Sequence, residues 1–283
     1  MTAKVWKTRV LLICLQLVAL IVVLAIARPQ LRNHSTSNLP ATPTNQDPVN
    51  WQDKTQNPIF QPEAQPNPSP VALSPAAQQV KFVPGYTPRY QISWANPLNY
   101  GQRYAKDING VPVYNQPIIV LHETVNSASS AINSFQTPHA NEKNQASYHA
   151  LITLDGTIVY IVPREYRAFG AGNSVFDGPN GSETVKTHPN FPPSVNNFAY
   201  HIAFETPPNG RNNRKTHSGY TEAQYKSLAW LVAQSSVPDN RITTHRAVDR
   251  SRSRIDPRSF DGKKFLNLLS SYRQAIAEKS SAS

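Results

Sequence analysis

The chain has 283 residues, enough for one domain of ordinary size and shorter flanking segments. Its formal net charge is +11 although only 16% of its residues are charged, so we expect an anionic partner. The single cysteine, Cys14, excludes a disulfide framework, and a transition metal would need His, Asp or Glu ligands.

The first predicted element is an apolar segment near the N-terminus. Residues 10–27 are 18 consecutive, mostly apolar positions that follow three basic residues. This pattern predicts a cytoplasmic N-terminus and export of the rest of the chain to the periplasm or cell wall. We interpret residues 1–27 as a signal anchor or a cleaved signal peptide. An uncleaved segment would tether the protein to the inner membrane.

A linker is predicted for residues 28–92. This stretch holds 12 of the 25 prolines, many Asn, Gln, Ser and Thr, and few large aliphatic residues. Such a composition cannot bury enough apolar surface to fold, so we expect disorder and a span of about 45 Å. The linker would let the following domain search a layer beyond the membrane.

A globular domain is predicted at residues 93–275, followed by a disordered tail at 276–283. The run QPIIVLHET at 116–124 is typical of a strand that is buried on both faces. Two β-rich runs within 148–163 are joined by Asp-Gly, which indicates a hairpin.

Further strands and helices follow in alternation. In YHIAFET, alternation places His201, Ala203 and Glu205 on one face of a strand. The other predicted elements are a capped helix near 128–136, a helix after the Thr221 cap, a strand at 241–244 and an amphipathic helix at 260–272. The order predicts an α/β fold with a single mixed central β-sheet flanked by helices.

Two histidines occur where predicted strands end. His122 ends the buried strand and His245 ends the strand at 241–244. Side chains at the C-terminal ends of sheet strands can converge on one crevice. With Asp256 they form a set that suits Zn²⁺ with one position open for water, as in a catalytic site. Each residue alone is more simply a surface histidine or a turn aspartate, so the prediction rests on the combination.

Six segments occur in order between residues 116 and 269: IIVLHET, SYHALITLDGTIVYIVP, RAFGAGNS, HIAFET, GYTEAQYKSLAWLVA and THRAV…RIDP. In these segments the chain resembles the zinc-dependent N-acetylmuramoyl-L-alanine amidases of the Amidase_2 family, relatives of the peptidoglycan-recognition proteins. The resemblance implies hydrolysis of the amide bond between N-acetylmuramic acid and L-alanine. Peptidoglycan or a muropeptide would then be the substrate.

The resemblance also implies roles for individual residues. The implied zinc ligands are His122, His245 and Asp256. Glu205 falls on the catalytic carboxylate, which we interpret as general base and then general acid. Arg254 stands where the family usually has lysine, and we interpret it as stabilising the oxyanion. Tyr148 is expected to assist through its hydroxyl group.

Other positions depart from the family pattern. Arg258 replaces a frequent glycine, and Phe169-Gly170 replaces the more usual Trp-His, which could alter the substrate groove. The stretch 174–198 is longer and is expected to be a surface loop beside the site. Four arginines of the loop after His245 either attract anionic cell wall or are solvated: Arg246, Arg250, Arg252 and Arg258.

Three other functions compete with this interpretation. A non-catalytic peptidoglycan-binding module is the main alternative, and bound zinc would distinguish the enzyme from it. A different metallopeptidase or a glycoside hydrolase is disfavoured, since no HExxH motif and no evident acid pair is present. Nucleic acid is not an expected partner, because the chain is predicted to be exported and its aromatic residues do not interleave with the basic run. We expect a monomer.

Overall fold

A computed structural model describes residues 85–281 of the chain. The predicted apolar segment at 10–27 and most of the predicted linker at 28–92 lie outside these residues. Within the described part, no helix combines the length and the apolar character needed to cross a membrane.

The described residues form short strands and four α-helices. The strands are β1 Tyr90–Ile92, β2 Tyr100–Gln102, β3 Ile118–Glu123, β4 Ala150–Ile152, β5 Ile158–Tyr160, β6 Tyr166–Ala168, β7 Phe176–Gly178, β8 Gly181–Glu183, β9 Ala199–Phe204 and β10 Ile242–Thr244. The helices are α1 Ala128–Gln136, α2 Glu222–Ala233, α3 His245–Val248 and α4 Gly262–Ser281.

A six-stranded sheet organises the domain, with the strand order β1-β5-β4-β9-β3-β10. Only the β4–β5 pair is antiparallel, and the other neighbours are parallel. In the central β3–β9 pair, Val120 lies opposite His201 and His122 opposite Ala203. The predicted mixed sheet is confirmed. Two smaller antiparallel pairs are β2–β6 and β7–β8.

The predicted hairpin and helix caps are present. Gly156 turns the chain between β4 and β5 with a φ of +84°, a conformation that favours glycine. Ser127 caps α1, because its side chain accepts a hydrogen bond from the backbone N–H of Ser130. Thr221 and Gln224 form a capping box at the start of α2.

The sheet is covered on both faces. Helices α2 and α4 pack on one face, against Ile119 and Leu121 of β3 and Ile202 and Phe204 of β9. On the opposite face, α1 packs near β4 and β5, and chain from the 169–198 region packs on β3. His122 is on this second face. The predicted metal ligand therefore lies on the side of the sheet that α1 covers, and not on the side that α2 and α4 cover.

Three segments differ from the sequence prediction. Residues 90–92 form β1, paired with β5, so they belong to the sheet and not to the linker. Helix α4 continues through 276–281, which were predicted as a disordered tail, because Ile276 still packs against the core. The 174–198 stretch was predicted as a surface loop, but it includes β7 and β8 and contributes buried apolar residues to the core.

Candidate active site

Three predicted ligand residues meet beside the C-terminal ends of β3 and β10. His122, His245 and Asp256 are buried, and one ligand atom from each lies within 4.8 Å of the others. The Nδ1 atom of His245 is 3.1 Å from Oδ2 of Asp256, and Nδ1 of His122 is 3.4 Å from the same oxygen. The structure therefore brings together the three side chains that the sequence singled out.

Local structure explains this convergence. The β3–β10 register sets Thr244 opposite Leu121, so the residue after each stands at the same edge of the sheet. The Thr244 side chain accepts from the backbone N–H of Ala247 and caps α3, which begins at His245. The carbonyl of Asp256 accepts from the backbone N–H of Arg246 at 2.9 Å, which holds the returning loop against α3.

The loop between α3 and Asp256 is wound around a second carboxylate. One oxygen of Asp249 accepts from the backbone N–H groups of Ser253 and Arg254, both at 2.8 Å. The other accepts from the backbone N–H of Ser251 at 3.0 Å. Asp249 was not among the residues predicted from the sequence, although Asp followed by small polar residues is a turn signal.

The donor set fits a zinc ion. Tetrahedral ligands at about 2.0–2.1 Å from zinc stand about 3.3 Å from one another. The two Nδ1–Oδ2 separations of 3.1 and 3.4 Å match this spacing. The Nδ1 atom of His122 is buried and has no hydrogen-bond partner among the described residues. Buried polar atoms seldom lack a partner, so this atom is well suited to bind a metal.

Electrostatics favour the protonation states that ligands need. Burial first, and then the charge of His245, lower the pKa of His122 to about 4. Burial raises the pKa of the Asp256 carboxyl, but its interactions with the imidazoles of His122 and His245 outweigh burial and hold that pKa well below its usual range. His122 is therefore neutral and Asp256 ionised near pH 7, as metal binding requires.

Two more histidines lie behind His122. The Nε2 atom of His122 is 2.9 Å from Nδ1 of His201, and the backbone N–H of His201 donates to Nδ1 of His149 at 2.9 Å. Burial lowers the pKa of both His149 and His201 well below its usual value, so both rings are neutral near pH 7. The sequence did not predict a role for His201 in the site, although alternation had put that residue on the same face as Glu205.

Glu205 lies on the face of the sheet that carries His122. It follows β9 two residues after Ala203, which is opposite His122. Its Oε2 accepts from the backbone N–H of Leu154 and its Oε1 from Arg211, both at 3.0 Å. The side chain is nearly buried, and its carboxylate is held by fixed donors at the edge of the site.

Tyr148 packs against His122, and Arg254 lies two residues before Asp256. The Tyr148 ring stacks on His122 with 4.5 Å between ring centroids, and burial raises the pKa of its phenol. Arg254 is exposed, and after burial and the charge of His245 its positive charge is a further, smaller influence that lowers the pKa of His122.

Arg258 was predicted to be either solvated or wall-binding, and this prediction was wrong. It is 4% exposed, and its Nε donates to Oε1 of Glu123 at 2.5 Å. Its other nitrogens donate to backbone carbonyls of residues 210, 212 and 214. The ion pair fastens the Asp256 loop to β3 beside His122. The other three arginines, Arg246, Arg250 and Arg252, are exposed as expected.

Comparisons with known proteins identify one matching family and several similar structures. The Amidase_2 family model, described as N-acetylmuramoyl-L-alanine amidase, matches residues 114–259, which contain all three predicted ligands. The chain is similar to a selenomethionine derivative of AmpD, at 24% identity and a TM-score of 0.43, covering 64% of this chain and 94% of that one. It is also similar to LysC from Clostridium intestinale URNW, at 21% identity and a TM-score of 0.39, covering 65% and 99%. A third similar structure is AmpDh3 from Pseudomonas aeruginosa in complex with anhydromuramic pentapeptide, at 20% identity and a TM-score of 0.40, covering 57% and 65%. No curated protein matches the sequence.

Proposed function

The chain belongs to the Amidase_2 family of N-acetylmuramoyl-L-alanine amidases, and we propose that it uses zinc to hydrolyse the amide bond between N-acetylmuramic acid and L-alanine in peptidoglycan. The observation that carries the zinc assignment is the approach of His122, His245 and Asp256 to within 4.8 Å of one another. Two imidazoles and one carboxylate are the protein ligands of a catalytic zinc site that keeps a fourth position open.

The place of Glu205 on the face of the sheet that carries His122 supports a role in proton transfer. Zinc, when bound, polarises the scissile carbonyl and lowers the pKa of its water ligand. The Glu205 carboxylate takes the proton of the attacking water and then delivers it to the leaving nitrogen. Arg211 and the backbone N–H of Leu154 orient this carboxylate, since each donates to a different oxygen of it.

Arg254 and Tyr148 would stabilise the charge that develops on the carbonyl oxygen. Arg254 supplies a permanent positive charge and N–H donors, but a guanidinium is a poor proton donor. The raised pKa of Tyr148 keeps its phenol protonated near pH 7, so its hydroxyl group can donate a hydrogen bond. Proton transfer is therefore assigned to Glu205 and charge stabilisation to the other two residues.

We further propose that the protein is exported and acts as a monomer, tethered to the inner membrane by residues 10–27. The apolar segment with its basic flank supports this location. Fractionation of cells, combined with protease accessibility of the C-terminal domain in spheroplasts, tests it. Recovery in the membrane fraction with an accessible domain is expected, and a cytosolic, protected domain would contradict the proposal.

The reaction is tested by incubating the full-length protein with purified sacculi, with zinc or with a chelator, and identifying the products by mass. Free stem peptides beginning with L-alanine are expected only in the presence of metal. Binding to sacculi without peptide release would instead favour the non-catalytic module. Equal release in chelator would overturn the role of zinc.

A further inference from the structure

A second imidazole stands directly behind one of the proposed zinc ligands. The Nε2 atom of His122 is 2.9 Å from Nδ1 of His201, and both side chains are 0% exposed. We propose that His201 is a positioning residue, which accepts a hydrogen bond from Nε2 of His122 and so presents the Nδ1 lone pair of His122 to the metal. This inference rests on the proposed zinc site.

The direction of this hydrogen bond follows from the chemistry of neutral imidazoles. A neutral ring carries one N–H and one lone pair. If Nδ1 of His201 accepts, the proton of His122 must be on Nε2, and its Nδ1 is free to bind a metal. In the opposite tautomer, Nδ1 of His122 would carry a proton that points towards Asp256, and the metal position would be blocked. Zinc binding therefore requires His201 to be the acceptor.

The same arrangement leaves a polar atom of His201 without a partner. When its Nδ1 accepts, its own proton is on Nε2, and this atom is buried with no hydrogen-bond partner among the described residues. An unpaired buried donor is unfavourable for folding. The position of His201 is thus poorly explained by stability alone, whereas support of a metal ligand explains it.

Gly170 makes room for the His201 ring. A Cβ atom at residue 170 would lie 2.6 Å from both Cγ and Nδ1 of His201, well inside any normal contact. The His149 ring lies nearly parallel to the His201 ring, with 5.8 Å between the two ring centroids. The Phe169-Gly170 departure, expected to alter the substrate groove, therefore acts at least on the support of His122.

Substitutions separate a positioning role from ordinary packing. H201F keeps a ring but removes the acceptor, H201N keeps an acceptor oxygen near the Nδ1 position, and G170A pushes the ring away. Zinc affinity of the full-length protein, measured by competition with a chromophoric chelator, should fall about 10–100-fold in H201F and G170A and recover largely in H201N. The control is I202V, because Ile202 is the buried neighbour of His201 on the opposite face of the sheet. I202V should keep the zinc affinity of the parent protein.

Nitrogen NMR of the histidine-labelled parent protein gives a readout that does not depend on any variant folding. With zinc, Nε2 of His122 should be protonated and Nδ1 of His201 unprotonated. A protonated Nδ1 of His201 in the zinc form would overturn the proposal, as would parental zinc affinity in H201F or an equal loss in I202V. Failure of the parent protein to bind zinc would overturn the proposed metal site as well, so the two failures are distinguishable.

Discussion

Two glutamates lie near the proposed metal ligands, and their hydrogen-bond partners distinguish their roles. Glu123 follows His122, but its oxygens accept from Arg258, His217 and Tyr220, and its side chain is almost completely buried. A carboxylate so occupied cannot approach substrate. Glu205 is on the site face with two fixed donors, so it is the better candidate for proton transfer.

Replacing Glu205 with Gln should abolish most of the turnover and leave zinc binding unchanged. Glutamine keeps the size of the side chain but cannot accept a proton from water, and the loss of a general base typically costs about 10²–10⁴ in rate. Turnover of a soluble muropeptide and zinc content of the purified protein are the two measurements. Glu278→Gln, at an exposed position of α4, is the control. Parental turnover in the Glu205 variant would refute its role.

Arg254 is the residue proposed to stabilise the oxyanion. Arg254→Gln should lower kcat by about 10²–10³, because one fixed donor to the oxyanion is lost. Arg254→Lys should retain much of the activity, since the positive charge remains. Arg250→Gln in the same exposed loop serves as the control and should leave kcat unchanged. Equal activity of the Gln and Lys variants would show that the charge at residue 254 is not used.

At the scale of elements, Arg241 joins the β7–β8 hairpin to the sheet. Its guanidinium donates to both carboxylate oxygens of Glu183, at 2.6 and 3.0 Å, and to the carbonyls of Gln116 and Pro117, just before β3. It also lies over the Phe176 ring at 5.0 Å. The hairpin is therefore fixed to the start of the strand that carries His122.

This clamp should make stability depend on pH. Burial raises the pKa of Glu183, but its hydrogen bonds with Arg241 and Asn115 outweigh this and lower the pKa below its ordinary value of 4.5. The ion pair thus contributes stability above that pH and loses it as the pH falls through the lower, folded-state pKa. Glu183→Gln should cost about 1 kcal/mol at pH 7 and progressively less in acid, as measured by urea unfolding. A cost independent of pH would contradict this assignment.

Elements with a strong local pattern were predictable, and those that depend on distant partners were not. β3, the β4–β5 hairpin, α1 and α2 follow from apolar runs, turn residues and caps within a few positions. β1 consists of three exposed residues, and only its pairing with β5 makes it a strand. Likewise, burial of Arg258 depends on Glu123, 135 residues earlier in the chain. No local sequence pattern predicts such a pair, so Arg258 was interpreted in the same way as the exposed arginines near it.

The same distinction holds within the site. His122 and His245 were predictable because each directly follows apolar or β-branched strand residues at the sheet edge. His201 has an equally clear place on its strand, but its role depends on a ring across the β3–β9 pair. Alternation therefore identified the face of His201 and not its partner.

At the scale of the whole molecule, positive charge is concentrated beside the site as well as being high overall. The chain has a formal charge of +11, and the loop that leads to Asp256 exposes Arg246, Arg250 and Arg252 next to Arg254. The proposed substrate belongs to an anionic cell wall. Exposed charges attract such a polymer over a distance of about 10 Å or less at moderate salt.

Joint replacement of Arg246, Arg250 and Arg252 by Gln should weaken binding to intact sacculi more than it changes turnover of a small soluble muropeptide. The three side chains are exposed, so folding and zinc binding should persist without them. Cosedimentation with sacculi at low and high salt, compared with muropeptide turnover, provides the measurement.

A matched variant replaces three exposed lysines elsewhere, Lys106, Lys143 and Lys263, and removes the same charge. Because screening by salt acts on exposed charges, the defect of the arginine variant should shrink at high salt. Equal losses on sacculi and muropeptide, or equal defects in the lysine variant, would show that the loop has no special part in wall binding.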